Sequence, residues 1–488
     1  MSMFKWDVVN PAPGEPVAPH QRLVWGKTAG LGAQHVIAMF GATFVFPIIM
    51  GLNPNLAILM SGIATICFLL IVKGKVPSYL GTSASFVGGA SAIYAQSGGP
   101  ADVTGAILIS GFVLALVGVA IHVLGAQAVN RVMPPVVTGA VVMLIGFNLA
   151  GVATDIYLPA DPWIGMLTML VVILMAVGLR GFAGRIAIFL GLVFGYVVSW
   201  LADVVFGQIT SVTPSSGGEA IAHDRVDWAM VKSAEWLGFP SQTADGLTGN
   251  QAQLGNLDAV GWHLPSFSVT FALLAIPAVI ALVAENIGHV KAVSGMTGAD
   301  LDPVVGRAVA ADGVGTVLAS AVGGSPTTTY AENIGVMAAT RVYSTAAYYV
   351  AAAVAILLGF VPKFGQIVAA TPAGVLAGIT LVLYGMIGLL GAKIWIENHV
   401  NFADPINLVP ISAGLIIGIG FDTTGFFAIT DDFTLGGIAL GTIVIVAGYH
   451  LARGIAPKGH EGTMMAVGES GVHRDDDAPP AADTTQGT

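Results

Sequence analysis

The sequence predicts an all-α membrane protein with fourteen transmembrane spans arranged as two inverted repeats of seven. Of its 488 residues, 55% are hydrophobic and only 9% are charged, and the mean hydropathy is +0.82. Soluble domains carry about 25% charged residues, so this composition indicates a bilayer protein. Apolar runs recur along the chain, and the long polar segment 207–265 divides them seven and seven. Because seven is odd, the second half must enter the membrane from the opposite side.

The fourteen spans are assigned from the lengths of the apolar runs and the residues that interrupt them. They lie near residues 30–50, 54–73, 80–96, 103–127, 134–152, 160–179, 184–206, 268–290, 307–322, 329–340, 345–361, 371–392, 405–420 and 436–452. The third is rich in Gly, Ser and Ala, and the tenth opens with Gly-Gly-Ser-Pro-Thr-Thr-Thr. Neither segment is a continuous apolar helix of 20 residues, so both are weak span assignments. In a seven-plus-seven repeat, spans 3 and 10 occupy corresponding positions in the two halves. Interrupted segments at corresponding positions of two halves indicate the binding site of a transporter.

The distribution of basic residues supports both weak spans. With the N-terminus placed inside, only Arg225, Lys232 and Lys363 of the 18 basic residues fall outside. Deleting either weak span would invert half of this pattern, so the positive-inside rule favours fourteen crossings. Both chain ends are then cytoplasmic. The first span is expected to stay uncleaved, since residues 1–22 lack the features of a signal peptide.

The spans and tails predict five regions along the chain. They are a cytoplasmic N-terminal tail at 1–27, a first seven-span repeat at 28–206, an extracytoplasmic loop at 207–265, a second seven-span repeat at 266–453 and a disordered cytoplasmic tail at 454–488. The last region has Pro-Pro and Asp-Asp-Asp runs and few large apolar residues, which predicts disorder. The single cysteine, Cys67, excludes a disulfide within one chain.

The pentapeptide Ala-Glu-Asn-Ile-Gly occurs twice, at 284–288 and 331–335, and each copy places a glutamate in an apolar stretch. An ionisable residue at membrane depth is costly and marks a functional site. Glu285 and His289 are four residues apart and share a helical face. Histidine titrates near physiological pH, so the two form a candidate proton-coupling pair. The structural alternative is a Glu–His hydrogen bond buried between helices.

Polar neighbours of these glutamates have two interpretations each. The hydroxyls of residues 327–329 and Tyr330 can bind a polar ligand or satisfy the backbone of an interrupted helix. Asn286 and Asn333 are expected to clamp helices rather than to touch a ligand. Weaker polar candidates are Gln34, His35, His122, Asp203 and Asp312, and the aromatic residues Phe40, Phe86 and Tyr384 are expected to pack unless the ligand is a ring.

The motifs and charges exclude several function classes. The sequence has no metal-ligand cluster, phosphate-binding glycine loop or nucleophile elbow, so we expect no cofactor, no metal, no enzyme activity and no nucleic-acid partner. An anion exchanger or channel would need a positive site, yet no Lys or Arg lies deep in a span. Two carboxylates suit a neutral ring with N–H donors beside carbonyl acceptors, and uracil has this pattern.

Several sequence blocks, in a fixed order from about Gln34 to Arg453, carry a resemblance to a known family. The blocks are Met39-Phe40-Gly41-Ala42-Thr43, Lys73-Gly74-Lys75-Val76-Pro77, Tyr79-Leu80-Gly81, Ala284-Glu285 to His289, Thr328-Thr329-Tyr330, Glu332-Asn333-Ile334-Gly335 with Thr340-Arg341, and Val342-Tyr343-Ser344-Thr345. They resemble the nucleobase–ascorbate transporters (nucleobase:cation symporter 2), and most closely the bacterial uracil/pyrimidine permease branch.

This resemblance implies a fold, a site and an activity. The fold would have a core domain and a gate domain, with a short β-strand in each of spans 3 and 10. The implied substrate-binding residues are Glu285, Glu332, Ala84, Phe86, Ala331, Tyr330 and Tyr384, the proton-coupling residues are His289 and Glu285, and the signature residues are Glu332, Asn333, Gly335, Thr340 and Arg341. The resemblance also implies a homodimer in the inner (cytoplasmic) membrane.

Two departures from the family pattern bear on the substrate. Ala84 replaces a Phe, with Phe86 two residues on, and Ala331 replaces a Gly. A roomier pocket could admit thymine or a purine. The function that follows is proton-coupled import of a pyrimidine nucleobase by alternating access, with uracil first. The alternatives are a xanthine or urate symporter and, in another class, an anion exchanger or channel of the same architecture.

Overall fold

Helices form most of the structure. The computed structural model describes residues 5–12, 15–125, 131, 133–213, 219–239, 260–421, 426–430 and 433–456. The helices are α1 (Trp25–Ile49), α2 (Pro54–Ile71), α3 (Val87–Ala95), α4 (Pro100–Leu124), α5 (Pro135–Asn148), α6 (Pro162–Gly178), α7 (Gly181–Arg185), α8 (Ala187–Phe206), α9 (Ala229–Ser233), α10 (Val269–Ala275), α11 (Pro277–Thr297), α12 (Val305–Ser320), α13 (Ala331–Thr340), α14 (Thr345–Gly359), α15 (Pro362–Ala369), α16 (Ala373–Glu397), α17 (Pro405–Gly420) and α18 (Gly437–Ile455).

Short strands and tight turns connect these helices. The strands are β1 (Asp7–Val8), β2 (Gln21–Arg22), β3 (Leu80–Thr82), β4 (Ile209–Val212), β5 (Ala220–His223), β6 (Thr327–Thr329), β7 (Phe426–Thr430) and β8 (Phe433–Gly436). The 3-10 helices are Ala84–Phe86, Leu158–Ala160 and Asp302–Val304, and Val152–Tyr157 is π-helical. The prediction of a helical membrane protein is confirmed in its main part, and the strands pair as four two-stranded sheets.

Proline and capping side chains define the helix starts. Proline stands in the first turn of α2, α4, α5, α6, α11, α15 and α17, where its missing N–H costs nothing. Asn53 accepts hydrogen bonds from two backbone N–H groups at the start of α2. Asp161 accepts from the N–H of Ile164 at the start of α6. These side chains satisfy backbone donors that the helix itself leaves unpaired.

Within the described residues, eight helical segments are long and apolar enough to cross a membrane. Counting the bent pair α14 and α15 as one broken span, with 85° between the two helices, gives nine. The eight segments are Trp25–Ile49, Pro54–Ile71, Pro100–Leu124, Pro135–Ala160, Ala187–Phe206, Val269–Thr297, Ala373–Glu397 and Gly437–Ile455. The protein is therefore a multi-pass membrane protein.

The long helices pack as two bundles. The first bundle contains α1, α2, α4, α11, α12 and α14, in which α4 packs on α12, and α14 packs on both α1 and α2. The second bundle contains α5, α6, α8, α16, α17 and α18, in which α16 packs on α5 and α6, and α17 packs on α18. Small residues let the backbones approach closely. A Cβ added at Gly118 of α4 would lie 2.2 Å from the nitrogen of Ala310 in α12.

Two short strands, β3 and β6, pair at the centre of the first bundle, and we call this pair the strand crossing. β3 and β6 pair antiparallel, with Leu80 opposite Thr329 and Thr82 opposite Thr327. β3 leads through the 3-10 turn at 84–86 into α3, and β6 leads directly into α13. Threonines from the neighbouring helices satisfy the strand backbones. Thr65 Oγ1 accepts from the N–H of Leu80 at 2.9 Å, and Thr316 Oγ1 donates to the carbonyl of Thr327 at 2.9 Å.

The segment that joins the halves is anchored by an ion-pair cluster. Strands β4 and β5 pair antiparallel, and Arg225 follows them. The Arg225 guanidinium contacts Asp161 at 2.8 Å and Asp203 at 3.1 Å. Burial opposes the charge of Arg225, but the hydrogen bonds and charges of the two carboxylates outweigh it and raise the pKa above its usual value. This cluster ties the start of α6 to the end of α8.

The predicted N-terminal tail contains packed structure. α1 begins at Trp25, inside the region 1–27, and β1 pairs with β2 in parallel. Val17 is fully buried and forms a parallel bridge with Val342. The described residues 5–12 and 15–22 therefore lie against the chain between α13 and α14. From residue 457 onward, the predicted disordered tail at 454–488 lies outside the described residues.

Candidate functional site

The starts of two short helices lie at the crossed strands. α13 begins immediately after β6, and its N-cap residue, Tyr330, makes no side-chain capping bond. On the other strand, Ser83 Oγ accepts from the N–H of Ser85 at 3.3 Å. Ala84 is half-buried and Ala331 is exposed. The helix start at Ala331 therefore presents backbone N–H groups and a positive partial charge to an open space.

Two glutamates flank this open helix start. Glu332 lies in the first turn of α13, and Glu285 lies in α11; both are half-buried. α11 packs against α13, β6 and the 3-10 turn at 84–86. The carboxyl groups of Asp312 and Glu332 are both within electrostatic range of Glu285. This arrangement brings together the two glutamates, Ala84 and Ala331, all of which the sequence proposes as site residues.

His289 begins a chain of hydrogen bonds that leads away from the glutamates. His289 Nδ1 lies 2.8 Å from Thr329 Oγ1, and the Thr329 hydroxyl donates to Asn286 Oδ1 at 3.3 Å. Asn286 Nδ2 donates to Asp312 Oδ2 at 2.6 Å. Because the Thr329 proton goes to Asn286, the histidine Nδ1 must be the donor to Thr329. The Nε2 atom of a neutral His289 is then left as an acceptor.

Tyr330 locks the strand crossing. Its hydroxyl donates to the carbonyl of Thr82 at 2.7 Å and accepts from Thr43 Oγ1 at 3.1 Å. Only 4% of Tyr330 is exposed. Its ring lies where Gly81 has no side chain, since a Cβ there would be 2.5 Å from Tyr330 Cζ. Tyr330, two residues before Glu332, thus shapes the site by joining β3, β6 and α1.

Asn333 clamps α13 to α1, as the sequence predicts. Its Nδ2 donates to the carbonyl of His35 at 3.0 Å and lies 3.2 Å from His35 Nδ1. The His35 ring packs on Tyr348, with 4.3 Å between the ring centroids. The Tyr348 hydroxyl donates to the carbonyl of Asn333 at 3.4 Å. His35 is therefore a support of the half-helix that carries Glu332.

Two predicted site aromatics are buried. Phe86 is 1% exposed and lies within the hydrophobic core. Tyr384 of α16 is 2% exposed, and its hydroxyl has no hydrogen-bond partner within the described residues. In this conformation neither ring is open to solvent.

The end of the signature motif terminates α13. Thr340 Oγ1 donates to the carbonyl of Val336 at 2.9 Å. Arg341 ends the helix in the left-handed region with φ 56°. Gly335 lies between them and Glu332 and is half-buried. Eight residues separate Thr340 from Glu332, about 12 Å along a helix, so these residues stand apart from the glutamates.

A stripe of exposed small and charged residues leads from Glu285 to the C-terminal end of α11. Its exposed members are Gly288, Lys291, Ala292 and Gly295. A lipid-facing stripe would carry large apolar side chains, whereas glycine, alanine and lysine are typical of a water-filled cavity. The residues of α3, on the other side of the strand crossing, are almost all buried. Among the described residues, the site is therefore exposed toward the C-terminal end of α11 and covered on the side of α3.

Two features of the site are weak in the sequence. Asp312 stands out only as one of five polar candidates, and the pairing of Thr329 with His289 gives no local signal. The useful signal is that Asp312 is an acid inside an apolar helix, which is costly unless it has a role. Among the described residues, no group of three or more His, Cys, Asp and Glu side chains is arranged to hold a metal ion.

Solved structures define the class of the fold. The transmembrane domain of a cyanobacterium bicarbonate transporter, BicA, matches with a TM-score of 0.52 and 13% identity, covering 88% of this chain and 97% of that chain. SLC26A9 matches with a TM-score of 0.54 and 11% identity, covering 88% of this chain and 65% of that chain. The protein has the fold of these membrane transporters.

Sequence comparison then gives the family. A family model described as "Permease family" matches residues 26–425. The chain belongs to this family, the nucleobase:cation symporter 2 permeases, which confirms the resemblance.

Three relatives match most of the chain. A protein of Escherichia coli (strain K12) that carries the name pyrimidine permease RutG is 42% identical over 87% of this chain and 89% of its own length. A uracil permease of Bacillus subtilis (strain 168) is 32% identical over 84% of this chain and 89% of its own length. A uracil permease of Bacillus caldolyticus is 34% identical over 86% of this chain and 90% of its own length.

Proposed function

We propose that this protein is a proton-coupled symporter that imports pyrimidine nucleobases, uracil first, across the cytoplasmic membrane. The observation that carries the proposal is the pair Glu285 and Glu332 beside the uncapped start of α13. The names of the three relatives support the pyrimidine substrate. Membership of a permease family supports transport rather than catalysis.

The chemistry of the site suits uracil. Uracil presents N–H donors next to carbonyl acceptors on one small ring. The carboxylates of Glu285 and Glu332 can accept from the ring N–H groups, and charge-assisted bonds of this kind are about twice as strong as neutral ones. Backbone N–H groups at the start of α13, near Ala331, can donate to a ring carbonyl.

Proton coupling follows from the same groups. His289 shares a helical face with Glu285, and its Nε2 is free to accept a proton while Nδ1 is held by Thr329. The outward-facing site binds the base and a proton. The first bundle, acting as the core domain, then moves against the second bundle, acting as the gate domain, and releases both inside.

Reciprocal packing supports fourteen spans in a seven-plus-seven inverted repeat. In this scheme α2 and α12 are mates, and so are α4 and the bent pair α14 and α15. The α4–α12 packing therefore has its counterpart in the α14–α2 packing, and the α6–α8 packing in the α17–α18 packing. Thr65 of α2 accepts from the N–H of Leu80 and donates to its carbonyl, and Thr316 of α12 does the same with Thr327. The strands β3 and β6 mark the interrupted spans 3 and 10.

The orientation follows from the charges and the open stripe. With both termini cytoplasmic, as proposed from the positive-inside rule, the exposed stripe at 288–295 of α11 faces the cytoplasm. The described conformation is then inward-open. We place the protein in the inner membrane as a homodimer; the dimer rests on the family resemblance alone.

The small side chains at the two helix starts bear on which nucleobase is preferred. Ala84 and Ala331 are small and lie at the open helix starts, so thymine fits the proposal, and a purine such as xanthine or urate is the alternative substrate. The likeness to BicA and SLC26A9 concerns the fold only. Two carboxylates without a deep cation would repel an anion, which disfavours an anion exchanger.

The test of this proposal is uracil uptake by a Glu332→Gln variant in cells that lack their own uracil uptake. The amide keeps the size of the side chain but loses the charge that strengthens the bond to a ring N–H, so we expect uptake to fall at least tenfold. Membrane insertion, measured by the amount of protein in the membrane fraction, should be unchanged.

The matched control is Glu397→Gln, which makes the same substitution at a side chain that is 61% exposed near the end of α16. Its uracil uptake should equal that of the wild type. Undiminished uptake by Glu332→Gln would refute the site assignment. Uptake that survives a protonophore but requires sodium would refute the proposed coupling ion.

A further inference from the structure

Asp312 is a buried acid that the proposed mechanism does not use. It lies in the middle of α12 and is 0% exposed. Its Oδ2 accepts from Asn286 Nδ2, whereas its Oδ1 has no hydrogen-bond partner within the described residues. A carboxylate without a nearby cation is costly at membrane depth. Such a group is retained where it binds a cation, of which the smallest is a proton.

The free oxygen of Asp312 is suited to that role. A proton can bind Oδ1 without disturbing the Asn286 bond to Oδ2. The hydroxyl of Thr328 in β6 lies within interaction range of the carboxyl groups of both Asp312 and Glu285. Binding a proton at Oδ1 would therefore change the charge of Asp312 without breaking its bond to Asn286.

The hydrogen-bond chain connects Asp312 to the substrate site. Every donor in the chain points toward Asp312: His289 to Thr329, Thr329 to Asn286, and Asn286 to the carboxylate. A negative charge at the end of such a chain polarises each hydrogen bond in turn, so the charge of Asp312 acts on the imidazole of His289. Neutralising Asp312 removes that effect.

The titratable groups around Asp312 are few. α11 contributes Glu285 and His289, with the exposed Lys291 farther along; α12 itself contributes Arg307; α2 carries Cys67; and α4 carries Asp102 and His122 at its two ends. Of these, Glu285 interacts electrostatically with Asp312. Two adjacent acids of this kind share protons, because both cannot be charged without repulsion.

We propose that Asp312 is a coupling residue of the transporter. It binds a proton during transport, and its charge acts on His289 through the hydrogen bonds of Asn286 and Thr329. This inference rests on the proposed proton-coupled transport of uracil. Asp312 does not touch the substrate, so it acts as a positioning and charge-setting residue. Removing its charge should uncouple the proton from the base without abolishing binding.

The experiment uses the purified protein in liposomes with labelled uracil. For one proton per base, a gradient of one pH unit supports about tenfold accumulation. We expect the wild type to approach this value and Asp312→Asn to equilibrate uracil without accumulating it. The amide oxygen of the variant can still accept from Asn286. Uracil exchange at equal pH and the Kd for uracil should stay within about threefold of wild type, a separation that a merely structural role would not produce.

A second pair of variants keeps the proposal testable if Asp312→Asn does not fold. Thr329→Val removes the hydroxyl that links His289 to Asn286 at nearly the same size, whereas Thr329→Ser keeps it. Thr329→Val should lose accumulation and Thr329→Ser should retain it.

Several outcomes would overturn the proposal. Full accumulation by Asp312→Asn or Thr329→Val would do so, and so would loss of uracil binding together with exchange, since Asp312 would then be a structural support. A sodium dependence that disappears in Asp312→Asn would assign the residue to sodium rather than to a proton. Failure of the wild type to transport uracil would instead count against the proposed function.

Discussion

At the residue scale, the site combines groups that the sequence singles out with supports that it does not. Glu285 and His289 share a face because they are four residues apart, and this spacing is visible in the sequence. The partner of His289 is Thr329, which lies 40 residues further along. A contact at that separation depends on how β6 packs against α11, so local sequence patterns do not predict it.

A glycine at the strand crossing gives a test at the residue scale. Gly81→Ala would place a Cβ 2.5 Å from Tyr330 Cζ and 2.6 Å from Thr43 Oγ1. Both partners are buried, so we expect a loss of about 1–3 kcal/mol of stability and weaker uracil binding. Thermal unfolding of the purified protein and a uracil binding assay measure the two effects.

The control for this substitution is Gly30→Ala in α1, where an added Cβ meets nothing within 4 Å. It should leave both properties unchanged or raise the stability slightly, because alanine favours a helix. A Gly81→Ala variant as stable as Gly30→Ala would show that Tyr330 does not lock the crossing tightly.

At the element scale, short helices depend on anchors at both ends. α13 is held at its start by Asn333, which binds the carbonyl of His35, and at its end by the N-terminal segment. The backbone N–H of Val17 donates to the carbonyl of Arg341 at 2.9 Å, and the N–H of Tyr343 donates to the carbonyl of Val17 at 2.8 Å. Trp6 donates from Nε1 to Thr345 Oγ1. The N-terminal segment is therefore part of the first bundle.

The sequence could predict the existence of this half-helix but not its N-terminal anchor. The Gly-Gly-Ser-Pro run and the following glutamate mark an interrupted span. Residues 5–22, in contrast, contain four prolines and lie ahead of the first apolar run, which is typical of a free tail. Their pairing with residues 341–345 is a contact between distant parts of the chain, and only the folded structure brings the two together.

Val17→Asp tests whether the N-terminal segment anchors the half-helix. Val17 is 0% exposed, and burying an unpaired charge there is costly enough to detach the segment. We expect a lower unfolding temperature and faster proteolytic cleavage within residues 5–22. The comparison variant is Val8→Asp, at a position 57% exposed, which should behave as wild type. Equal protease resistance of the two variants would contradict the anchoring role.

At the scale of the whole molecule, two bundles and a central crossing form a carrier with one open side. The composition and the charge pattern were sufficient to predict a multi-pass membrane protein, because both follow directly from the physics of the bilayer. Which side is open is a property of one packed conformation. No sequence pattern specifies it, since the same chain must adopt both conformations during transport.

The proposed orientation predicts the sidedness of two lysines. In a Cys67→Ser background, Lys291→Cys should react with a membrane-impermeant thiol reagent from the cytoplasmic side, because residue 291 lies on the exposed stripe of α11. Lys363→Cys in α15 should react from the outside. Labelling is measured in right-side-out and inside-out vesicles. Reaction of Lys291→Cys from the outside alone would contradict an inward-open conformation with cytoplasmic termini.

The most direct measurement of the central claim is proton movement driven by uracil. The purified protein is placed in liposomes that contain a pH-sensitive dye, and uracil is added outside at equal pH on both sides, with valinomycin and potassium present to dissipate charge. The account predicts that the lumen becomes more acidic on addition of uracil, and that Glu332→Gln vesicles do not respond. Absence of acidification on addition of uracil would contradict a proton-coupled pyrimidine symporter. So would acidification that occurs with xanthine or urate but not with uracil.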